Sequence, residues 1–514
     1  MPRTASSVAI ALCVSIFVGC ASLPSQEGRP VTVARGDTAG TQLGRIVAPG
    51  LASHPGKTGI HALSQPQEAL AVRVLLATAS ERTLDVQYYI WQDDQVGNLM
   101  FETLWKAAER GVRVRLLLDD LNTRGLDPTL GALDRHPNIE VRLYNPIMQR
   151  NLRVAGLIAD FTRTNRRMHN KAFIADNQVS VVGGRNIGNA YYGPGGGVGF
   201  ADLDVVVVGE AVKDVSGAFD LYWNSASAFP AANVISARGA KSDAELIAVF
   251  DATRADPRST PYVRALHEAV PLSALVEALD RWEWIDAHVL HDDPSKTIEA
   301  STRIQALLFP ELLKRLGRPR KTLDLVSPYF VPGPSGTEAL AMLASEGVRV
   351  RVLTNSLAAS DVKAVHAGYA KRRQDLLRAG VELYELKPTA SRRAREDDTL
   401  GSSASAALHA KTLAVDRERI FVGSFNFDPR SALLNTEMGI VMESSALAER
   451  LASFFDGEVQ SAAYEVRLNA DGRSLEWIER TPTGLVRFDT EPGTRWWQRL
   501  QVDVFSMMPI DSLL

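Results

Sequence analysis

His169-Asn170-Lys171-Ala172-Phe173-Ile174-Ala175-Asp176 and His409-Ala410-Lys411-Thr412-Leu413-Ala414-Val415-Asp416 share the pattern HxKxxxxD, offset by 240 residues. Each is followed in register by a glycine and an asparagine, Gly183 and Asn186 in the first copy, Gly423 and Asn426 in the second. Side chains alternate along a strand, so His and Lys two apart share a face while Asn170 and Ala410 point away. The apolar residues 172–175 and 412–415 continue the strand, and Gly183 and Gly423 end the next, where they are expected to let backbone approach a ligand. Two such edges brought together about a pseudo-twofold axis offer two imidazoles, two ammonium groups and two amides around one small cavity, a set suited to a tetrahedral phosphodiester.

The duplication extends outward from these motifs. Thr83-Leu84-Asp85-Val86 recurs as Thr322-Leu323-Asp324-Leu325, and Gly111-Val112-Arg113-Val114-Arg115 recurs as Gly347-Val348-Arg349-Val350-Arg351. Each copy reads strand, helix, strand: 84–90, 96–110 and 112–118, then 323–329, 336–346 and 348–353. The expected fold is α/β, with two duplicated domains at 67–230 and 321–460, each with a largely parallel sheet. A mainly helical connector over 231–320 has no counterpart in the first half, and 461–514 is a C-terminal extension. Residues 20–66, rich in Pro, Gly, Ser and Thr near their start, read as a tether.

The first 19 residues combine Arg3 with the apolar run Val8–Val18, too short to span a bilayer, which takes about 20 residues, but suited to a signal peptide. Phe17-Val18-Gly19-Cys20 resembles a bacterial lipobox, which implies a diacylated Cys20 and a lipoprotein held at a membrane of the cell envelope, facing the periplasm. The two cysteines, Cys13 and Cys20, both lie here, which excludes an intramolecular disulfide framework and a cysteine-rich zinc site. Over 514 residues, 57 Lys and Arg stand against 60 Asp and Glu, so no general charge favours a nucleic-acid backbone and any anion site is local.

A phosphodiester repels nucleophiles, so its site must neutralise the oxygens, supply a nucleophile and protonate the leaving alkoxide. Lys171 and Lys411 neutralise, Asn186 and Asn426 donate hydrogen bonds, one imidazole attacks while neutral, and the other acts as acid and then base. The motifs' symmetry leaves open which histidine does which. Each imidazole needs an acceptor on its other nitrogen. Glu437, 28 residues after His409, reads as that histidine's partner; Asp202, 33 residues after His169, reads as its counterpart, with Asp204 competing. No metal and no cofactor are expected, because the cations are supplied by side chains.

These motifs clearly resemble the phospholipase D superfamily, over nearly all of residues 67–460. Arg167-Met168-His169-Asn170-Lys171, Gly183-Gly184-Arg185-Asn186-Ile187-Gly188 and Gly423-Ser424-Phe425-Asn426 look most like bacterial cardiolipin synthases, particularly those of the C type. The resemblance implies a phosphohistidine mechanism with His169 as nucleophile and His409 as acid/base, and structural roles for Asp176 and Asp416. It implies transfer of a phosphatidyl group to phosphatidylglycerol, with phosphatidylethanolamine as the suggested donor. Phospholipase D hydrolysis is the competing reading within enzymes; a nuclease suits neither the charge nor the anchor, and an inactive lipid-binding lipoprotein is the competing reading outside them. Both motifs lie in one chain, so a monomer is expected.

Weaker candidates are His288, His291, Asp292 and Asp293, read as a helix end and loop rather than metal ligands. His366 and Tyr369 read equally as cavity lining or packed helix. Arg163, Arg166 and Arg167 read as a solvated basic face that competes with a lipid-phosphate site. Trp496, Trp497, Phe505, Met507 and Met508 read equally as interfacial anchors or as a subdomain core.

Overall fold

The computed structural model describes residues 23–193, 202–267, 282–298, 307–388 and 408–508. The first sheet holds β1 (Thr58–Leu63), β2 (Thr83–Tyr88), β3 (Arg113–Asp119), β4 (Ile139–Tyr144), β5 (Ala172–Ala175), β6 (Val179–Gly183), β7 (Asp204–Gly209), β8 (Ala228–Pro230) and β9 (Glu283–Ile285), in the order β8-β4-β3-β2-β5-β6-β7-β1-β9. The second holds β10 (Ala287–His291), β11 (Thr322–Val326), β12 (Arg349–Asn355), β13 (Glu382–Leu386), β14 (Thr412–Val415), β15 (Arg419–Gly423), β16 (Met438–Met442), β17 (Ala463–Leu468), β18 (Leu475–Thr481) and β19 (Gly484–Phe488), in the order β10-β16-β15-β14-β11-β12-β13-β17-β18-β19.

The two sheets carry the same plan. β2, β3 and β4 run parallel, as do β11, β12 and β13; the strands of each motif, β5-β6-β7 and β14-β15-β16, add on antiparallel. The repeated LD and RVR segments fall on neighbouring parallel strands. There Asp85 accepts from Arg115 Nε and Nη2 at 2.6 and 2.8 Å, and Asp324 accepts from Arg351 at the same two distances. All four side chains are buried, so each charge is matched by a bidentate partner where desolvation would otherwise be costly.

Facing surfaces of the two sheets share one apolar core, in which Met168, Ala172, Ile174 and Val182 of the first half pack with Ala410, Ala414, Val422 and Ile440 of the second. This shared core brings the ends of β5 and β14 together and places the two motifs in one site.

Three expectations about the flanks are corrected. Residues 20–66 are not simply a tether: they include a helix, Gln42–Ser53, and β1, which pairs with β7. The preceding segment is fixed by groups distant in sequence, with Arg29 donating to the carbonyls of Asn224, Ser225 and Ala228. The connector is not without a counterpart. It holds helices Asp243–Ala255 and Leu308–Leu316, but it also gives β9 to the first sheet and β10 to the second, where β10 lies beside β16 as β1 lies beside β7. The C-terminal extension continues the second sheet through β17–β19, β17 occupying beside β13 the place of β8 beside β4.

Candidate active site

Asp176 and Asp416 build the turn after each motif. Asp176 accepts from the backbone N–H groups of Glu81, Arg82 and Thr83, and Asp416 from those of Arg320, Lys321 and Thr322. Both have positive φ, 51° and 56°, a conformation that Asp tolerates better than most residues. They tie β5 to the start of β2 and β14 to the start of β11, away from the reacting groups. The glycines differ from expectation. Gly183 and Gly423 admit a neighbouring strand rather than a ligand: a Cβ on Gly183 would lie 2.5 Å from Asp204 Cα, and one on Gly423 2.6 Å from Gly439 Cα.

His169 and His409 lie on extended segments just before β5 and β14. The first is anchored across the domain interface, His169 N–H donating to Thr436 O at 2.8 Å and Thr436 N–H to Arg167 O at 2.9 Å. That pairing corrects the expected carboxylate partners. His169 Nδ1 donates to Glu437 Oε2 at 2.8 Å, and His409 Nδ1 donates to Asp202 Oδ2 at 2.8 Å. Each half thus orients the other half's histidine, and each Nε2 is left for chemistry. Asp204, the competing choice, is buried against Arg73 and Arg185 and takes no part.

The two carboxylates sit in different surroundings. Arg185 donates to the Asp202 carbonyl at 2.7 Å, and Gly184 leaves room for the carboxylate, since a Cβ there would lie 2.2 Å from Asp202 Oδ1. Glu437 receives the Ser424 hydroxyl on the oxygen that binds His169. Its backbone is gripped by Asp292, which accepts Glu437 N–H at 2.9 Å and donates its own N–H to Glu437 O at 3.0 Å. Asp292 also accepts from Lys296 Nζ at 2.9 Å and from Leu308 N–H at 2.8 Å. This connector residue, read from sequence as loop, is part of the support of the site.

Burial and neighbouring charge then set the protonation states. Burial pushes Glu437 up to about 7, against the pull of Lys171. Asp202 is equally buried, yet the charge and hydrogen bond of His409 hold it well below the usual carboxylate range. Burial, followed by the cations Lys171 and Lys411, drives His169 well below the ordinary imidazole range; His409 is also lowered by burial, with Asp202 opposing. Burial lowers Lys171 to about 7 and Lys411 to about 8. Each ammonium donates to its own motif's His carbonyl.

Both histidines, Lys411, Asn186 and Asn426 line one cavity of about 500 Å³ at the domain interface. Asn186 Oδ1 accepts Ile90 N–H at 3.1 Å, while its Nδ2 and Asn426 Oδ1 are buried without a hydrogen bond of ordinary geometry among the described residues. Tyr89 and Tyr191 meet the two imidazoles edge-on, with ring centroids at 4.8 and 5.1 Å. Tyr329 donates to Asp361 at 2.9 Å on the cavity wall, and Arg430 completes it from beside the second motif. None of these five was singled out from sequence. Tyr89 and Tyr329 share the 240-residue offset of the motifs, which is the signal that marks them.

The weaker candidates divide. Arg167 is no lipid-phosphate ligand: it is buried and bound to Asp119 at 2.6 and 2.9 Å. Arg163 pairs with Asp160, and Arg166 donates to Lys296 O. His366 is packed rather than cavity-lining, with Arg373 at 2.8 Å and Glu491 at 3.2 Å. His288 meets Arg315, and His291 Nδ1 meets Asp292 O. Among the described residues no group of three or more His, Cys, Asp or Glu is placed to hold a metal ion. Cys20 lies outside the described residues.

The family model for cardiolipin synthase, PLD-like domain, matches residues 73–212 and 312–458, more than half of the chain and both copies of the motif. The chain belongs to this family. It is 44% identical over 474 residues to cardiolipin synthase C of Escherichia coli K12, covering 92% of this chain and all of that one. It is 26% identical over 394 residues to a cardiolipin synthase of Staphylococcus aureus Mu50, covering 76% of this chain and 65% of that one. Among solved structures, phosphatidylserine synthase from Haemophilus influenzae Rd KW20 aligns over 91% of this chain and all of its own, with a TM-score of 0.54 at 12% identity, a likeness of fold. As a member of the family the chain is an enzyme that uses phospholipase D chemistry, associated with the membrane of a bacterial envelope.

Proposed function

We propose that this enzyme moves a phosphatidyl group from phosphatidylethanolamine to phosphatidylglycerol, giving cardiolipin and ethanolamine. His169 Nε2 attacks phosphorus and protonated His409 gives its proton to the departing ethanolamine oxygen as the P–O bond breaks. His409 then takes the proton of a glycerol hydroxyl of phosphatidylglycerol, which attacks phosphorus and breaks the P–N bond to His169. Lys171, Lys411, Asn186 and Asn426 carry the phosphate oxygens, whose negative charge restores the lowered lysines to their ammonium form.

The observation that carries the reading is the pair of crossed His–carboxylate contacts facing one cavity. Their inequality supports the roles. The His169–Glu437 pair is the more buried and disfavours charge, which suits a neutral nucleophile, whereas His409, whose side chain is 27% exposed against 8% for His169, pairs with a firmly ionised Asp202. The donor is supported by Asp361, an exposed carboxylate on the cavity wall that matches an ammonium headgroup. The full-length likeness to cardiolipin synthase C supports a lipid acceptor. The protein acts as a monomeric lipoprotein anchored through Cys20 and facing the periplasm.

The test is lipid analysis of a cardiolipin-deficient bacterium expressing this chain, with labelled ethanolamine headgroup. Cardiolipin with release of labelled ethanolamine is expected. Phosphatidic acid in its place would make the enzyme a hydrolase, and cardiolipin with free glycerol but no ethanolamine would overturn the donor.

A further inference from the structure

The helix Trp496–Ser506 turns large apolar residues to solvent. Trp496, Leu500, Val504 and Met507 recur at intervals of three and four and so form one stripe along the helix. All four are exposed, Trp496 to 70% and Met507 to 84%. The helix already has a buried side: Val502, with Phe505 beside it, packs against Leu357, Ala367 and Ala370 on and before the helix Lys363–Ala370. The exposed stripe is therefore additional to the contact that holds the helix.

The position of the stripe links it to the active site. Val362 and Val365, at the start of the helix on which it rests, line the cavity, and the next residue, Lys363, places Nζ 4.5 Å from the Trp497 ring centroid. Leu152, Ile158 and Phe161 of the first half are exposed as well, and the chain runs on from them to Asn165, which accepts from the cavity residue Arg430 at 2.8 Å. Cations accompany the stripe: Arg495 and Arg499 at the start of the helix, Lys363 beside it, and Lys371 donating to Met508 O at 3.2 Å. Asp503 is the helix's one acidic residue.

We propose that this stripe is a bilayer-docking surface, which seats the cavity mouth on anionic phospholipid. The inference rests on the reading of the cavity as a phospholipid site. A cavity of about 500 Å³ takes a headgroup and its phosphate while the acyl chains stay in the membrane, so the protein must bring His169 to the headgroup level. Tryptophan and methionine flanked by Arg and Lys match both layers they would meet, acyl boundary and anionic headgroups. A protein partner would need to satisfy the apolar stripe and the cations together, with no feature of the cavity calling for it.

The test uses the full chain carrying Cys20→Ala, so that acylation does not mask the contact, and vesicles of phosphatidylethanolamine and phosphatidylglycerol. Trp496→Glu with Leu500→Glu should reduce vesicle co-sedimentation by about tenfold or more, as expected for charge at an interfacial position. Turnover on vesicles should fall in parallel, with turnover of a water-soluble nitrophenyl phosphodiester unchanged, which also shows that the variant is folded. In the parent chain, brominated lipids should quench fluorescence that Trp496→Phe removes. Undiminished vesicle binding by the double variant, or absence of Trp496 quenching, would overturn the proposal. So would a dimer in sedimentation equilibrium that the double variant dissociates, since a second copy would then be the occupant. Vesicle binding lost in the variant, together with no phosphatidyl transfer by any form, would leave the docking surface standing and remove the proposed function.

Discussion

Exchanging each carboxylate for its amide separates the two half-reactions. In Glu437→Gln the side chain keeps its shape, and its amide oxygen can still accept from His169 Nδ1 at the 2.8 Å now seen and from the Ser424 hydroxyl, while its NH2 takes the place of Oε1. What is lost is the anion beside an imidazole that becomes cationic as it attacks phosphorus. A hydrogen bond to a charged acceptor is roughly twice as strong as a neutral one, and a mis-set tautomer would also place a proton on Nε2, where the lone pair is needed. Loss of correct general acid–base placement costs about 10²–10⁴ in rate; formation of the phosphoenzyme in Glu437→Gln is expected to slow within that range. Asp202→Asn removes the anion from His409, whose proton is not needed by a nitrophenolate leaving group. It should form the phosphoenzyme at close to the parent rate and release it slowly.

Rapid quench with a labelled nitrophenyl phosphodiester, followed by counting of protein-bound label, reads both steps. His169→Ala should give no adduct and His409→Ala a persistent one, which assigns the histidines independently of the carboxylates. If His409→Ala traps the adduct while Asp202→Asn fails to form it, then Asp202 serves His169, and the crossed contacts are wrong. If all four variants behave oppositely, the contacts stand and the roles of the histidines are reversed.

Further outcomes follow from the same geometry. The pH profile of kcat/KM should be a narrow bell: activity falls as pH drops through about 7, where Glu437 takes up a proton, and falls as pH rises through about 7 and then about 8, where Lys171 and Lys411 lose theirs; Lys171→Arg with Lys411→Arg should move the alkaline limb upward, and an unmoved limb would assign it to another group. Asp292→Asn strands the buried Lys296, a loss of about 3–5 kcal/mol in stability, whereas Asp292→Asn with Lys296→Met should recover the melting temperature yet remain roughly 10–100-fold slow in phosphoenzyme formation; full activity in the double variant would reduce Asp292 to a structural role. Turnover should survive EDTA because lysine and histidine supply the charge a metal otherwise would, and complete loss restored by a divalent ion would refute that. Cys20→Ala should leave the domains folded and the protein released from its anchor, with reduced membrane fractionation; an unchanged fraction in a variant that also lacks the apolar stripe would count against lipoprotein processing.

What was legible in the sequence is what chain-local pattern determines. The alternation around Leu84–Tyr88 and Leu323–Val326 and the helical spacing between strands gave the α/β halves, and the recurrence of HxKxxxxD located the chemistry. What was not legible depends on docking. Glu437 follows His409 along the chain, so proximity in sequence suggests that they pair; only the shared core between Ile174 and Ile440 and their neighbours, which sets one sheet against the other, delivers Glu437 to His169 instead. β1 and β10 were hidden for the same reason. Each is a short strand, β1 between β7 and β9 and β10 at a sheet edge, whose partner, β7 or β16, lies about 150 residues away in sequence.

The duplication itself conceals the most informative difference. Two nearly identical motifs would give two equivalent histidines, and a double displacement needs one neutral and one protonated. The distinction lies beside the motifs, in GGRN against GSFN. In the first half Gly184 makes room for the Asp202 carboxylate, and Arg185 adds a guanidinium that helps keep it ionised. In the second half Ser424 gives Glu437 a neutral donor, and Phe425, stacked on Phe309 at 5.1 Å, stands where Arg185 stands in the first. Phe425 offers no cation there: burial pushes Glu437 up to about 7, while the charge and hydrogen bond of His409, with Arg185 adding to them, hold Asp202 well below the usual carboxylate range. Because the carboxylates cross the interface, Arg185 bears on the carboxylate that orients the other half's histidine, His409, while burial and the cations Lys171 and Lys411 favour a neutral His169. The proposed division of labour between acid and nucleophile thus draws on a difference outside HxKxxxxD, and it becomes readable once the crossing is known.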